Sequence, residues 1–90
     1  MIFDFDPRKD SLNRAKHGLS LEVAQHLTWK EALTWKDDRY HYNEARMAGL
    51  VPAGDRLYYV AFVEHGERFR VISLRHANNR EIARYAENFY

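Results

Sequence analysis

RLYYVAFVEHGERFRVISLRH, residues 56–76, decides the fold. Leu57–Val63 is dense in Tyr, Val and Phe, side chains that suit a pleated, half-buried surface. His65-Gly66 suits a two-residue hairpin turn, and Arg68–Arg75 then returns as the partner strand. With that turn Glu64 pairs with Glu67, Tyr58 with Ser73 and Arg56 with Arg75. Residues paired across a ladder share a face. Arg56 and Arg75 therefore stand together with Val60, Phe62, Phe69 and Val71, and Arg70 stands on the other face beside Tyr59 and Ala61. Both faces are apolar near the middle, so one is expected to be covered and the other at least partly covered. Like charges opposed on a ladder repel, so an anion is expected near Arg56 and Arg75. Glu44, Asp37, Asp38 or an external phosphate would serve.

Outward from the hairpin, Ile2-Phe3 reads as a short first strand. Asp6-Pro7 opens a helix, Asp as the cap and Pro in the first turn, and Gly18 closes it. Ser20 caps a second helix with Val23, Ala24 and Leu27 on its apolar side. Ala32–Lys36 and Arg46–Val51 are further strands, the latter ended by Pro52 and the turn residues Gly54-Asp55. Asn78 with Glu81 three residues later approximates a capping box for a last helix. Ile82, Tyr85, Ala86 and Phe89 follow its helical spacing and are expected to face the core. The order implies one α+β domain over residues 1–90, an antiparallel sheet packed with two N-terminal helices and a C-terminal helix.

Composition narrows the function classes. The chain has no cysteine, which excludes disulfides and thiolate chemistry and fits a reducing cytosol. No apolar run approaches the roughly 20 residues of a membrane span, and MIFDFDPRKD places acids where a signal peptide needs basic and then apolar residues. A cytoplasmic location is expected. Net charge is +1, but Arg68–Arg84 holds five Arg against one acid, Glu81. Such a local basic patch can meet phosphate, although a solvated surface would look the same.

There is no phosphate-binding glycine loop, HExxH or nucleophile elbow. His26 and His65 read as structural or surface residues, and His41 as a loop histidine. Trp29 and Trp35 read as core or partner-interface residues rather than base-stacking platforms. Metal-free RNA cleavage needs activation of the 2′-OH, neutralisation of the phosphorane and protonation of the leaving 5′-oxygen. Arginine serves the second step through its planar fork. His, Glu, Lys or Tyr can serve the others. Arg46, Arg70, Arg75, His76, His17 and Glu44 supply these types. A corepressor that binds nucleic acid without cutting it, and a protein-interaction module, remain the alternatives.

Three ordered stretches carry a resemblance: DFDPRKDSLNRAKHGLSLEVA (4–24), DDRYHYNEARMAGL (37–50) and DRLYYVAFVEHGERFRVISLRHANNREIARYAE (55–87). Together they resemble the BrnT toxins of bacterial type II toxin–antitoxin pairs, within the RelE-like group. The resemblance implies a RelE-like α+β fold and a metal-independent ribonuclease, without cofactor, that blocks translation by cutting RNA. It implies a BrnA-like ribbon-helix-helix antitoxin as partner, with operator DNA met only through that antitoxin. Carried over by position, the catalytic candidates are Arg75, Arg46, Glu44, His17, His76, Arg70 and Tyr85. Lys16, Arg56, Arg80 and Arg84 are candidates for RNA binding. His76 stands where the family more often has Arg or Lys.

Overall fold

A computed structural model describes residues 1–38 and 44–89. His41 and its tyrosine neighbours lie outside the described residues. Five strands form one sheet: β1 (Ile2–Asp4), β2 (Leu33–Lys36), β3 (Met47–Ala53), β4 (Arg56–His65) and β5 (Arg68–His76). Their order across the sheet is β1-β5-β4-β3-β2. Neighbours β2 to β5 are antiparallel, but β1 runs parallel to β5. The expected antiparallel sheet is therefore mixed. The helical segments and three strands separate β1 from β5 in the chain, so no hairpin forces the pair antiparallel.

Gly66 sets the register of the central hairpin. It takes φ 59° at the first turn position, where a two-residue II′ turn demands glycine. The turn is Gly66-Glu67, one residue later than the sequence suggested, and His65 pairs with Arg68. A bulge follows. Phe62 pairs with Val71 but Ala61 pairs with Ser73, so Ile72 is an extra residue in β5. Two corrections result. Arg75 pairs with Tyr59, not Arg56, and Arg56 pairs with Ala53 of β3. The bulge also turns Arg75 onto the face that carries Arg70, whose partner is Val63.

Helix α1 (Pro7–His17) begins and ends as its sequence requires. Asp6 accepts the Arg8 N–H at 2.8 Å, and Gly18, at φ 71°, donates to the Arg14 carbonyl at 2.9 Å. The segment after Ser20 is a 3-10 helix, Leu21–His26, followed by a second short one, Trp29–Glu31. Its six residues, closed by Leu27 N–H onto Ala24 C=O, are too few for a stable α-helix. The Asp10 carboxylate ties it to α1, accepting from Leu21 N–H at 2.7 Å and Ser20 Oγ at 3.0 Å.

These short helices cover one face of the sheet. Leu21, Ala24 and Leu27 pack on Val51, Val60, Phe62, Val71 and Leu74. Trp29 meets Phe62 and Phe69 edge-on, and its Nε1 donates to the Ala24 carbonyl at 2.7 Å, so it is a core residue as expected. Each large apolar side chain so buried contributes about 1.5–3 kcal/mol. The other face buries Ala48, Leu50, Ala61 and Val63 but leaves Trp35, Tyr59, Arg70 and Arg75 half-exposed.

Helix α2 (Asn79–Phe89) carries the expected capping box. Asn78 Oδ1 accepts the Glu81 N–H at 2.8 Å, and a Glu81 carboxylate oxygen accepts the Asn78 N–H at 2.9 Å. Its apolar stripe does not reach the core as expected. No residue of α2 is buried, and Ile82 and Phe89 are 48% and 45% exposed.

Candidate active site on the half-covered face

β1 covers the outer edge of β5 only opposite residues 68–70. Beyond it, the Asn13 side chain takes over the work of a neighbouring strand. Its Oδ1 accepts the Leu74 N–H at 3.0 Å and its Nδ2 donates to the Leu74 carbonyl at 2.8 Å. Nδ2 also donates to the Leu19 carbonyl at 2.8 Å. Asn13 is 5% exposed, so these bonds satisfy groups that water cannot reach. They also fix the C-terminal turn of α1, with Lys16 and His17, beside the end of β5.

Arg75 lies at the centre of this arrangement. Glu81 grips it with both carboxylate oxygens, Nη1–Oε1 at 2.8 Å and Nη2–Oε2 at 2.9 Å. The guanidinium carbon sits 4.3 Å over the Tyr59 ring. Glu81 and Tyr59 thus set both the edge and the plane of the fork. The anion paired with Arg75 is Glu81, and Asp37 and Asp38 line the same cleft. For the Glu81 carboxyl, burial raises the pKa, but the Arg75 hydrogen bonds and charge and the Asn78 N–H outweigh it. The net value lies below the usual carboxylate range.

Two clefts flank Arg75 and Tyr59, and both residues line each of them. The first, about 360 Å³, opens toward α1 and is walled by Lys9, Lys16, His17 and Ser73. Among the described residues, no carboxylate lines it. Desolvation, then the charges of Lys16 and Arg75, hold the His17 imidazole below its ordinary value of 6.5. His17 is therefore neutral at pH 7 and can accept a proton. The second cleft, about 530 Å³, opens toward β2 and α2, with Trp35, Asp37, Glu81 and Arg84 in its walls.

The remaining candidates are dispersed. Glu44 binds Arg70, and its second oxygen meets His65 Nε2 at 3.1 Å. This group shares the face of Arg75 but lies toward the hairpin turn, about 13 Å along the strands by residue count. His65, read as a surface residue, is part of it. The Arg46 carbonyl accepts the Asp37 N–H at 2.8 Å, one step beyond the Lys36–Met47 pair, which puts Arg46 on the Trp35 side of the sheet. His76 pairs with Tyr58, its ring tilted against the Tyr58 ring at 5.0 Å, on the face opposite Arg75. Tyr85 donates its hydroxyl to the Glu31 carbonyl at 2.7 Å and stacks on Phe89. Arg56 and Arg80 are exposed away from the first cleft, and Arg84 lies 4.0 Å over the Trp35 ring.

The sequence placed Lys16, His17 and Arg75 among the candidates but gave no role to Lys9 or Tyr59. No local spacing joins Lys9 and Lys16 to Arg75. Only the Asn13 clamp and the bulge bring these residues together.

Residues 5–81 match the family model described as the ribonuclease toxin BrnT of type II toxin–antitoxin systems. No curated protein matches the chain. None of the helices among the described residues is long and apolar enough to cross a membrane.

Proposed function

The chain belongs to the BrnT family of ribonuclease toxins of type II toxin–antitoxin systems, and we propose that it cuts RNA in the cleft between α1 and Arg75 without a metal ion. The observation that carries this reading is the shared lining of that cleft by Lys9, Lys16, Arg75 and an imidazole kept neutral. In the reaction His17 takes the proton of a ribose 2′-OH. The 2′-oxygen attacks phosphorus, and the bond from phosphorus to the 5′-oxygen breaks. Lys16 protonates the leaving 5′-oxygen, and a 2′,3′-cyclic phosphate remains. Arg75 and Lys9 meet the charge that grows on the phosphorane oxygens. Glu81 and Tyr59 hold Arg75 ready for it, which avoids reorganisation at the moment of reaction.

In this reading Glu44, Arg70 and His65 extend the RNA track along the sheet, with Arg46, and Tyr85 anchors α2 rather than touching substrate. His76 has no part in the chemistry. The single domain of residues 1–90 belongs with the RelE-like toxins and acts on cytoplasmic RNA to stop translation. Its antitoxin is a BrnA-like ribbon-helix-helix protein through which it reaches operator DNA.

The test is degradation of a defined RNA by the purified chain in excess chelator, with Arg75→Ala beside it. Wild type should cut, and the variant should lose about a hundredfold or more in rate. Equal rates would remove Arg75 from the mechanism. Salt-dependent binding that leaves the RNA intact would favour a non-catalytic corepressor instead.

A further inference from the structure

The second cleft differs from the first in a way that assigns it a ligand. Its walls carry Asp37, Asp38 and Glu81 among Lys36, Arg75 and Arg84, so carboxylates offset the cations that a phosphate would need. They also carry a layered aromatic and guanidinium array. Arg84 lies 4.0 Å over Trp35, Trp35 stands 6.4 Å from Tyr59, and Arg75 lies 4.3 Å over Tyr59. Trp35 sits on the edge strand β2, half-exposed on the open face. An indole there does not pack against the core cluster, as Trp29 does.

We propose that this cleft is a nucleobase subsite, in which Trp35 is the stacking surface for the base next to the scissile phosphate. The proposal deepens the ribonuclease reading and rests on it. Arg75 and Tyr59 line both clefts, so a phosphate held in the first places an adjoining base at the second. Single-stranded RNA is bound by stacking unstacked bases on aromatic rings and guanidinium planes. Arg84 comes from the exposed surface of α2, so its guanidinium can slide off the indole or cover the outer face of an inserted base. Glu81 is held by Arg75 and Asp37 is 7% exposed, but the Asp38 oxygens stand at the rim and, when ionised, accept hydrogen bonds and donate none. They therefore favour a base edge with adjacent N–H donors. Guanine, with N1–H beside its N2 amino group, is the preferred base.

The experiment is a fluorescence titration with tetranucleotides made uncleavable by 2′-deoxy substitution, one with a single guanine among uridines and one of uridine alone. Trp29 lies on the opposite face of the sheet, against Phe62 and Phe69, so ligand-dependent quenching reports Trp35. The guanine ligand should quench wild type and bind at least fivefold tighter than the uridine ligand. Trp35→Phe should keep most of the affinity and lose the quench. Trp35→Ala should weaken binding about tenfold. The subsite is overturned if wild type shows no quench, if the quench persists in Trp35→Phe, or if a folded Trp35→Ala binds unchanged. It is also overturned if an antitoxin shields Trp35 from iodide while oligonucleotides do not, which would make the cleft a protein contact. If Trp35→Ala does not fold, wild type against Trp35→Phe still decides. The ligands are uncleavable, so a chain without nuclease activity could still show the subsite. A chain that cuts RNA without quenching would sink the subsite alone.

Discussion

Helices α1 and α2 have the same length, eleven residues, and opposite relations between pattern and burial. α1 has hardly any apolar stripe, and its Leu12 is 69% exposed. It is nevertheless fixed to the sheet by one buried amide, Asn13, with two hydrogen bonds to Leu74 and a third to the Leu19 carbonyl. α2 has a clean stripe of Ile82, Tyr85, Ala86 and Phe89, and buries none of it. It is held by the Arg75–Glu81 ion pair and the Tyr85 hydroxyl. Periodicity tells which face of a helix is apolar but not whether anything covers that face. Here polar anchors, not stripes, place both walls of the site.

The comparison assigns chemistry to the α1 wall and positioning to the α2 wall, and the largest expected effect tests that split. His17→Ala should lower cleavage about a hundredfold to a thousandfold, whereas Glu81→Gln should cost about tenfold or less. The pH profile supplies a second readout. The His17 pKa lies below 6.5 because burial and the neighbouring cations disfavour the imidazolium. A base is active when deprotonated, so the wild-type rate should rise with pH through that lowered value and be flat near pH 7. His17→Ala should lose this limb. An unchanged acid limb in the variant would move the base elsewhere, with Glu44 the next candidate.

Stability should divide between the helices in the same sense. Asn13→Ala strands the Leu74 N–H and carbonyl and the Leu19 carbonyl in a dry seam, a loss of about 3 kcal/mol. Ile82→Ala, on the exposed stripe, should fall within about 1 kcal/mol. Urea denaturation of both variants measures the difference. If Ile82→Ala is the costlier change, the stripe is covered in solution and the contrast between the helices fails.

Much of the fold was readable because it rests on local chemistry. Asp6-Pro7, Gly18, the Gly54-Asp55 turn and the Asn78–Glu81 box each act over a few residues, and each stands where the pattern put it. Register was not readable in the same way. Placing the turn at His65-Gly66 rather than Gly66-Glu67 shifts every pair. The bulge at Ile72 has no signature in a strand where apolar residues fall on both faces. The cost fell on the site: Arg75 looked like the neighbour of Arg56 and the opposite of Arg70, and it is neither. His17 could be named from residue type, and Lys16 from the family resemblance. Their approach to Arg75 depends on a contact between residues 13 and 74, which no local pattern carries.

Glu81 joins the two halves of the comparison, because it caps α2 and grips the arginine that both walls share. Glu81→Ala should cost about 1–2 kcal/mol, the loss of a cap and of a charge-assisted pair. Glu81→Gln can still accept the Asn78 N–H but cannot neutralise Arg75, so it should cost less. The acid dependence follows from the lowered carboxyl pKa. A group whose folded value lies below its unfolded one stabilises at pH above the unfolded value and stops doing so as pH falls through the folded value. Stabilisation from Glu81 should thus be complete above its ordinary value of 4.5 and disappear below it. The stability difference between wild type and Glu81→Gln should therefore shrink as the pH is lowered from 6 toward 3. A difference that stayed constant over that range would mean that the Arg75–Glu81 pair adds little net stability. The hold on α2 would then come from the capping hydrogen bonds and Tyr85, and the second wall of the site would be looser than the ion pair suggests.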